Sequence, residues 1–171
     1  MTQSTLVLGL GNTLMTDEGV GPLVVRHLKA EADPAGPLLF LDGGTLSFTL
    51  AGPIEDCRCL IVVDAAAMGD PPGTVRVFEG EAMDRQLRQH ANSVHEVSLA
   101  DLLDMVRLTD RLPERRALVG IEPAVIGWGD RLTPAVEAAV PIAMARVQEI
   151  LRQWDETETG CSIGQGRFAV R

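Results

Sequence analysis

Aromatic residues are scarce in this chain of 171 residues, at 4% of the total, with four Phe, two Trp and no Tyr. Apolar residues nevertheless make up 46% of the sequence, so the core must be built from aliphatic side chains. Such a core is typical of a parallel β-sheet that is covered on both faces. A single domain of this size buries about 70% of its unfolded surface, so folding should need neither a disulfide nor a metal.

Cysteine is also rare. The three cysteines, Cys57, Cys59 and Cys161, are an odd number and lack the spacing of a zinc ribbon or of a redox C-x-x-C motif. Their pattern indicates a reducing, cytoplasmic compartment. We interpret Cys57 and Cys59 as small apolar residues that flank or enter a strand.

Basic residues are outnumbered, with 15 Lys and Arg against 24 Asp and Glu, for a formal charge of −9. This balance, without a basic run, argues against nucleic acid or an anionic membrane as a partner. No window approaches the roughly 20 apolar residues of a membrane span. The first apolar run lacks a basic flank and is broken by Gly9 and Gly11, so we do not interpret it as a signal peptide. We expect a cytoplasmic monomer.

Near-continuous apolar runs at 5–10, 37–42 and 59–66 predict central parallel strands, and 116–122 predicts a last strand. The alternating run 74–78 predicts an edge strand. Helices are predicted at 17–32, from Leu46 to Cys57 with a stop or kink around Gly52-Pro53, from a capping box formed by Ser93 and Glu96, and at 133–153.

This order of elements predicts an α/β fold of three layers, a mostly parallel twisted sheet of about five strands with helices on both faces. We assign 1–154 to a single domain. The segment 155–171 lacks periodicity and is predicted to be a flexible tail.

Four residues with useful chemistry lie where ligands bind in such folds, beyond the carboxyl ends of the strands. Glu18 follows the first strand, Asp42 ends the second, Asp64 ends the third, and His95 is predicted to open a helix. All four side chains can therefore face one crevice.

Taken one at a time, these residues do not require a metal, and Glu18 and Asp64 each have a structural explanation. Glu18 in a first helical turn would stabilise the helix dipole by about 0.3–1 kcal/mol. Asp64 at the rim of a buried sheet needs a partner, which could be a cation or a set of backbone N–H groups. His95 near a helix start would stay neutral, as a metal ligand must. Together the three side chains form an N/O ligand set that suits zinc or nickel, and predict a metal-dependent hydrolase or a metal sensor.

The stretch Gly9-Leu10-Gly11-Asn12 also suggests a dinucleotide-binding turn, which is a second hypothesis from another class. The third glycine of that motif is missing, because Leu14 occupies its place. Asp17 and Glu18 would repel phosphate at the mouth of the following helix. Nucleotide binding is therefore the weaker alternative.

Six stretches, in order between about Leu6 and Leu151, resemble the endopeptidases that mature nickel-iron hydrogenases. They are 9–21 (GLGNTLMTDEGVG), 42–45 (DGGT), 60–65 (LIVVDA), 93–95 (SVH), 120–123 (GIEP) and 132–136 (LTPAV). The long first motif, together with the others in register, makes this resemblance specific. The sequence is thus similar to a family of proteases with a phosphorylase/hydrolase-like α/β fold.

The resemblance implies a protease that removes a C-terminal extension from the nickel-loaded precursor of a hydrogenase large subunit. It implies that Glu18, Asp64 and His95 are metal ligands, that the nickel is supplied by the substrate, and that no cofactor is permanently bound. It also implies a substrate-binding role for Asp42 and its neighbours Gly43, Gly44 and Thr45. Asp42, Glu18 and Asp64 are the implied catalytic residues of an aspartyl-type endopeptidase.

No Ser, Cys or Thr stands out as a nucleophile, so we expect attack by a water that the metal or a carboxylate such as Asp42 activates. A non-catalytic nickel-binding or metal-checking module in hydrogenase assembly would use the same three ligands. The residues by themselves leave that alternative open.

Overall fold

A computed structural model of the chain describes residues 5–89 and 97–163, with the backbone alone for 158–163. The strands are β1 (Thr5–Leu10), β2 (Leu38–Gly44), β3 (Cys59–Ala65), β4 (Val75–Glu79) and β5 (Arg115–Ile121). The helices are α1 (Val20–Glu31), α2 (Ala51–Glu55), α3 (Glu81–Gln89), α4 (Leu99–Leu108) and α5 (Pro134–Ile163), with short 3₁₀ helices at Thr16–Gly19 and Phe48–Leu50. Within these described ranges, every helix is too short or too polar to cross a membrane.

The five strands form one sheet in the order β2-β1-β3-β5-β4. β1 pairs in parallel with β2 and β3, and β3 pairs in parallel with β5. β4 is antiparallel to β5 at the edge, as the alternating run 74–78 predicts. The predicted α/β class, with a mostly parallel sheet of about five strands, is confirmed.

Alternate residues of each strand face opposite sides of the sheet, which creates two apolar cores. On β1, for example, Val7 packs under α1 and α5, whereas Leu6 and Leu8 pack under α2, α3 and α4. Residues such as Val24 and Ala143 complete the first core. Both faces are therefore covered, as the continuous apolar runs predict.

Glycine allows α1 to pass close to the strand ends. A Cβ placed on Gly21 would lie 2.2 Å from the carbonyl oxygen of Leu10 and 2.4 Å from that of Val63. A Cβ on Gly9 would lie 2.6 Å from the carbonyl oxygen of Gly21. The start of α1 is thus held against the carboxyl ends of β1 and β3.

Several predicted helices differ from the observed ones. The first predicted helix divides into a 3₁₀ turn and α1. Pro53 lies in the first turn of α2 rather than stopping a helix there, because a proline early in a helix has no backbone N–H to satisfy. α3 was not predicted, since it is mostly polar and buries only Met83.

The helix α4 begins at Leu99, with Ser98 as its N-cap, instead of beginning at Ser93. Ser98 and Asp101 form a reciprocal capping box, with the Ser98 hydroxyl accepting from the Asp101 N–H at 3.1 Å. Ser93 and Glu96 lie outside the described residues. At the other end of the chain, α5 continues to Ile163, so residues 155–163 of the predicted tail extend this helix.

Candidate active site

Two loops at the carboxyl edge of the sheet are joined along their backbones. Residues 12–19 follow β1, and residues 122–133 connect β5 to α5; we call them the paired loops. The N–H of Thr16 donates to the carbonyl of Gly129 at 2.8 Å, and the N–H of Gly129 donates to the carbonyl of Leu14 at 3.0 Å. The N–H of Asp17 donates to the carbonyl of Val125 at 3.3 Å. These bonds fix the loop that carries Glu18.

Asp17 holds the paired loops together from inside, with no exposed surface. Its carboxylate accepts the backbone N–H groups of Ala124 and Val125, both at 2.9 Å, and that of Thr133 at 2.7 Å. The Thr133 hydroxyl also donates to both carboxylate oxygens. Burial by itself would raise the pKa of Asp17, but the hydrogen bonds from Thr133, Val125 and Ala124 outweigh it and lower the pKa. Asp17 is therefore a stable buried anion.

Glu18 and Asp64 lie on the wall of one cavity of about 610 Å³ at this edge. Glu18 comes from the 3₁₀ turn after β1, and Asp64 from the end of β3, the neighbouring strand. The rest of the wall is largely apolar and includes Ala65, Ala66, Leu87, Leu99, Pro123 and Ile126. The structure thus brings two of the predicted site residues together in a cleft that could receive a peptide.

The Asp64 carboxyl group is partly buried in the cavity wall, and few nearby groups stabilise its negative charge. Burial, followed by the nearby negative charge of Glu18, raises the pKa of Asp64 to about 8, against a smaller lowering effect of a hydrogen bond from the Ala65 backbone. Two carboxylates that face one another favour sharing a proton, or binding a cation that neutralises both. Two carboxylates of this kind can supply two ligands to a divalent metal ion.

The third predicted ligand, His95, lies outside the described residues, between α3 and α4. Among the residues that the structure describes, no three His, Cys, Asp or Glu side chains come together as a complete metal site. The ligand set therefore remains a prediction for His95.

Asp42 and the DGGT segment lie at the same edge of the sheet but on the other side of β1. Asp42 and Val63 are both register partners of Gly9, so Asp42 and Asp64 end strands that flank β1, roughly 10 Å apart. Asp42 is exposed, accepts the Gly44 N–H at 3.0 Å, and is not among the residues that line the cavity. It stands beside the cavity containing Glu18 and Asp64, rather than within it.

The DGGT glycines have different surroundings. A Cβ on Gly43 would lie 2.9 Å from side-chain atoms of both Leu8 and Leu10, so a larger residue there would displace these core leucines. Gly44 has a φ of +52°, with open space beside it. Thr45, the last residue of this segment, is exposed. The open space that a substrate backbone could approach is therefore at Gly44.

Gly11, the second glycine of the G-x-G turn, has a structural role that does not involve phosphate. Gly11 has a φ of +135°, and a Cβ on it would lie 1.8 Å from the carbonyl oxygen of Glu18. The space that a pyrophosphate would need is thus occupied by the chain's own loop. This contact disfavours the nucleotide-binding alternative.

Cys57 and Cys59 are buried thiols, one just before β3 and one at its first residue, as predicted. Burial, together with the neighbouring Cys59, raises the pKa of the Cys57 thiol to about 12. A thiol of this kind is a structural apolar residue rather than a nucleophile.

The sequence reasoning did not predict the role of Asp17, nor its contact with Thr133. The motifs that contain these residues are far apart in sequence, at 9–21 and 132–136, and no spacing rule links them. Their joint presence in the chain is the one signal that could have suggested a contact.

A cleft with paired carboxylates at the carboxyl edge of a mostly parallel sheet defines an α/β enzyme with an acidic active site. The model of the hydrogenase maturation protease family HycI matches residues 22–150. The hydrogenase 2 maturation protease of Escherichia coli is 35% identical over 149 residues, which cover 86% of this chain and 90% of that protein. The hydrogenase expression/formation protein HoxM of Cupriavidus necator is 31% identical over 150 residues, which cover 87% and 74%.

The structure of the hydrogenase maturating endopeptidase HybD from Escherichia coli superimposes with a TM-score of 0.81 at 34% identity, covering 88% of this chain and 93% of that one. The chain belongs to the hydrogenase maturation protease family, and it is a hydrolase.

Proposed function

We propose that this protein is the endopeptidase that removes the C-terminal extension from the nickel-loaded precursor of a nickel-iron hydrogenase large subunit. Family membership supports the protease activity and its place in hydrogenase maturation. The observation that carries the specific proposal is the pair of Glu18 and Asp64 in one cavity, where burial and then the nearby negative charge of Glu18 raise the pKa of Asp64 to about 8.

Nickel in the precursor is part of the substrate in this proposal, and the enzyme keeps no permanent cofactor. Glu18, Asp64 and His95 are the proposed nickel ligands. The two carboxylates are deprotonated when they bind the metal, and the positive charge of the metal offsets the repulsion between them. A precursor without nickel would lack this anchor, so cleavage would report that the metal has been inserted.

Cleavage then requires a water molecule that attacks the scissile carbonyl. Glu18 and Asp64 fix the metal and hence the peptide, and well-oriented groups can lower a barrier by about 7–11 kcal/mol. Asp42 is exposed beside the cavity, where it could contact the substrate or accept a proton from the water. Gly43, Gly44 and Thr45 would line the approach of the extension. In this sense the enzyme would be of aspartyl type.

The protein's setting follows from related observations. The buried free thiols of Cys57 and Cys59 support a reducing, cytoplasmic location. The net charge of −9 supports the absence of nucleic-acid and anionic-membrane partners. We propose that the enzyme acts as a monomer.

The proposal can be tested with the full-length precursor of the nickel-iron hydrogenase large subunit encoded in the same genome, purified with and without nickel. Wild type should shorten only the nickel-loaded precursor, as measured by intact mass. Glu18→Gln, Asp64→Asn and His95→Gln should each slow cleavage by about 100-fold or more, since each removes a proposed ligand. Glu31→Gln is a matched control, because Glu31 is exposed at the far end of α1.

Full activity in all three ligand variants would end the assignment of the site. Equal cleavage of the nickel-free precursor would show that nickel is not the signal. Retention of nickel by the protein through gel filtration, with no loss of mass from the precursor, would instead favour the metal-checking module.

A further inference from the structure

An exposed apolar surface lies on the paired loops. Trp128 is 86% exposed, Leu14 58%, Ile126 52% and Val125 50%. We call these four side chains the apolar rim. In the rest of the described chain, Met105 and Leu108 are exposed together on α4, and the other large exposed apolar side chains, Leu39, Phe48 and Ile142, lie on separate elements. The four rim side chains lie on two loops joined by the bond from the Gly129 N–H to the Leu14 carbonyl, and a group of exposed apolar side chains marks an interaction site more often than a single exposed residue does.

The apolar rim is held in place by the protein itself. The Thr16 hydroxyl donates to the Val125 carbonyl at 2.6 Å and accepts from the Gly127 N–H at 3.2 Å. Thr16 has a φ of +46°, a conformation that costs energy in a residue other than glycine. Asp17 fixes the same segment through the N–H groups of Ala124 and Val125. A partner that binds here would therefore lose little free energy in ordering the loops.

The apolar rim is continuous with the active-site cavity. Ile126 belongs to the rim and also lines the cavity that contains Glu18 and Asp64. Glu18 directly follows Asp17, whose carboxylate binds the N–H of Val125. A protein that inserts a peptide segment into the cavity would therefore contact Ile126, the residue that the cavity and the apolar rim share.

The chemistry of the apolar rim indicates what kind of surface binds there. Its four side chains carry no charge, although the chain as a whole has a net charge of −9. Tryptophan is enriched among the residues that dominate binding energy, because it buries a large area with few rotatable bonds. The rim is thus suited to an apolar patch on a folded protein.

We propose that the apolar rim docks the folded body of the hydrogenase precursor while the C-terminal extension of that precursor occupies the cavity. Recognition of the body and cleavage of the extension would then use adjoining surfaces of one rigid edge. This inference rests on the proposed function for the identity of the partner. It adds a binding surface outside the carboxylate site.

The test compares Trp128→Ala and Leu14→Ala with Leu108→Ala, an exposed leucine on α4 that serves as the matched control for Leu14. The probe is the same nickel-loaded, full-length precursor. Trp128→Ala should raise KM by about tenfold or more, and Leu14→Ala by a smaller factor, with kcat within about twofold of wild type. Binding of the precursor to the enzyme, measured by biolayer interferometry, should weaken by the same factors. Leu108→Ala should leave both measurements unchanged.

An unchanged KM and Kd in Trp128→Ala would overturn the docking role while leaving the proposed function intact. If wild type binds the precursor without cleaving it, and Trp128→Ala loses that binding, the proposed function fails and the docking surface stands. Sedimentation velocity covers the other occupant: a wild-type dimer that Trp128→Ala dissociates would assign the apolar rim to a second copy and overturn the proposal.

Discussion

Two acidic residues at the same edge of the sheet, Asp17 and Asp64, have opposite electrostatic surroundings. Asp17 is surrounded by donors, with three backbone N–H groups and the Thr133 hydroxyl directed at its carboxylate. Asp64 instead faces the negative charge of Glu18 across a cavity. The pKa of Asp17 is lowered, whereas that of Asp64 is raised to about 8.

The difference separates an acid that maintains the fold from one that is available for function. The charge of Asp17 is stabilised within the chain, so it needs nothing from outside. The negative charge of Asp64 is only weakly stabilised, by a hydrogen bond from the Ala65 backbone, and a bound cation would stabilise it further. Asp17 therefore maintains the fold, whereas Asp64 has the surroundings expected of a residue in the proposed site.

The largest change in stability should come from replacing Asp17, whose carboxylate is hydrogen-bonded on both oxygens. Asp17→Ala leaves three part-buried N–H donors without their acceptor, so we expect the free energy of unfolding to fall by about 3 kcal/mol or more. Urea unfolding at pH 7 measures this change. Asp33→Ala is the matched control, because Asp33 is exposed and accepts one backbone N–H, from Ala35 at 2.9 Å. A loss no larger than that of the control would mean that the paired loops do not depend on Asp17.

Replacing Asp64 should instead increase the stability of the fold at neutral and higher pH. The folded-state pKa of Asp64 is raised from 3.8 to about 8, so wild type loses stability as the pH rises between these values. Asp64→Asn lacks this dependence. The free energy of unfolding of this variant should match that of wild type near pH 4. At pH 8 it should be higher by about 1 kcal/mol or more, or roughly 2–4 °C in Tm.

Thermal unfolding of Asp64→Asn and wild type at both pH values provides the measurement. Asp42→Asn replaces an exposed acid on β2 at the same edge of the sheet and should change Tm little at either pH. A variant that is less stable than wild type at pH 8 would show that the Asp64 charge is compensated within the protein.

The smallest expected change measures how much the Thr133 hydroxyl contributes to stabilising the Asp17 carboxylate. Thr133→Val removes a hydroxyl that donates to both carboxylate oxygens, at 3.0 and 2.9 Å, and keeps the backbone donor. We expect a loss of about 1 kcal/mol in the free energy of unfolding, measured with urea. Thr74→Val is the control, because the Thr74 hydroxyl donates to a carbonyl in an exposed turn. A change equal to that of the control would assign the stability of Asp17 to the backbone donors.

The predictable parts of this protein are those that local patterns encode. The central strands have continuous apolar runs, and their carboxyl ends correctly placed Glu18 and Asp64 at one edge of the sheet. The polar helix α3 lacked such a pattern, and the capping box of α4 was assigned to Ser93 instead of Ser98. Both sites match the same short motif, so the motif by itself does not say where α4 begins.

Local patterns in the sequence are enough to predict the α/β class, the edge of the sheet at which Glu18 and Asp64 lie, and the resemblance to a protease family. These follow from periodicity and from motifs, which are local properties of the chain. The folded chain was needed to show that Asp17 is a structural anion, that Gly11 accommodates the chain's own loop, and that the loops carrying Leu14 and Trp128 are joined. Each of these depends on a contact between segments about 100 residues apart or on the path of a loop in space, and neither is written in local sequence.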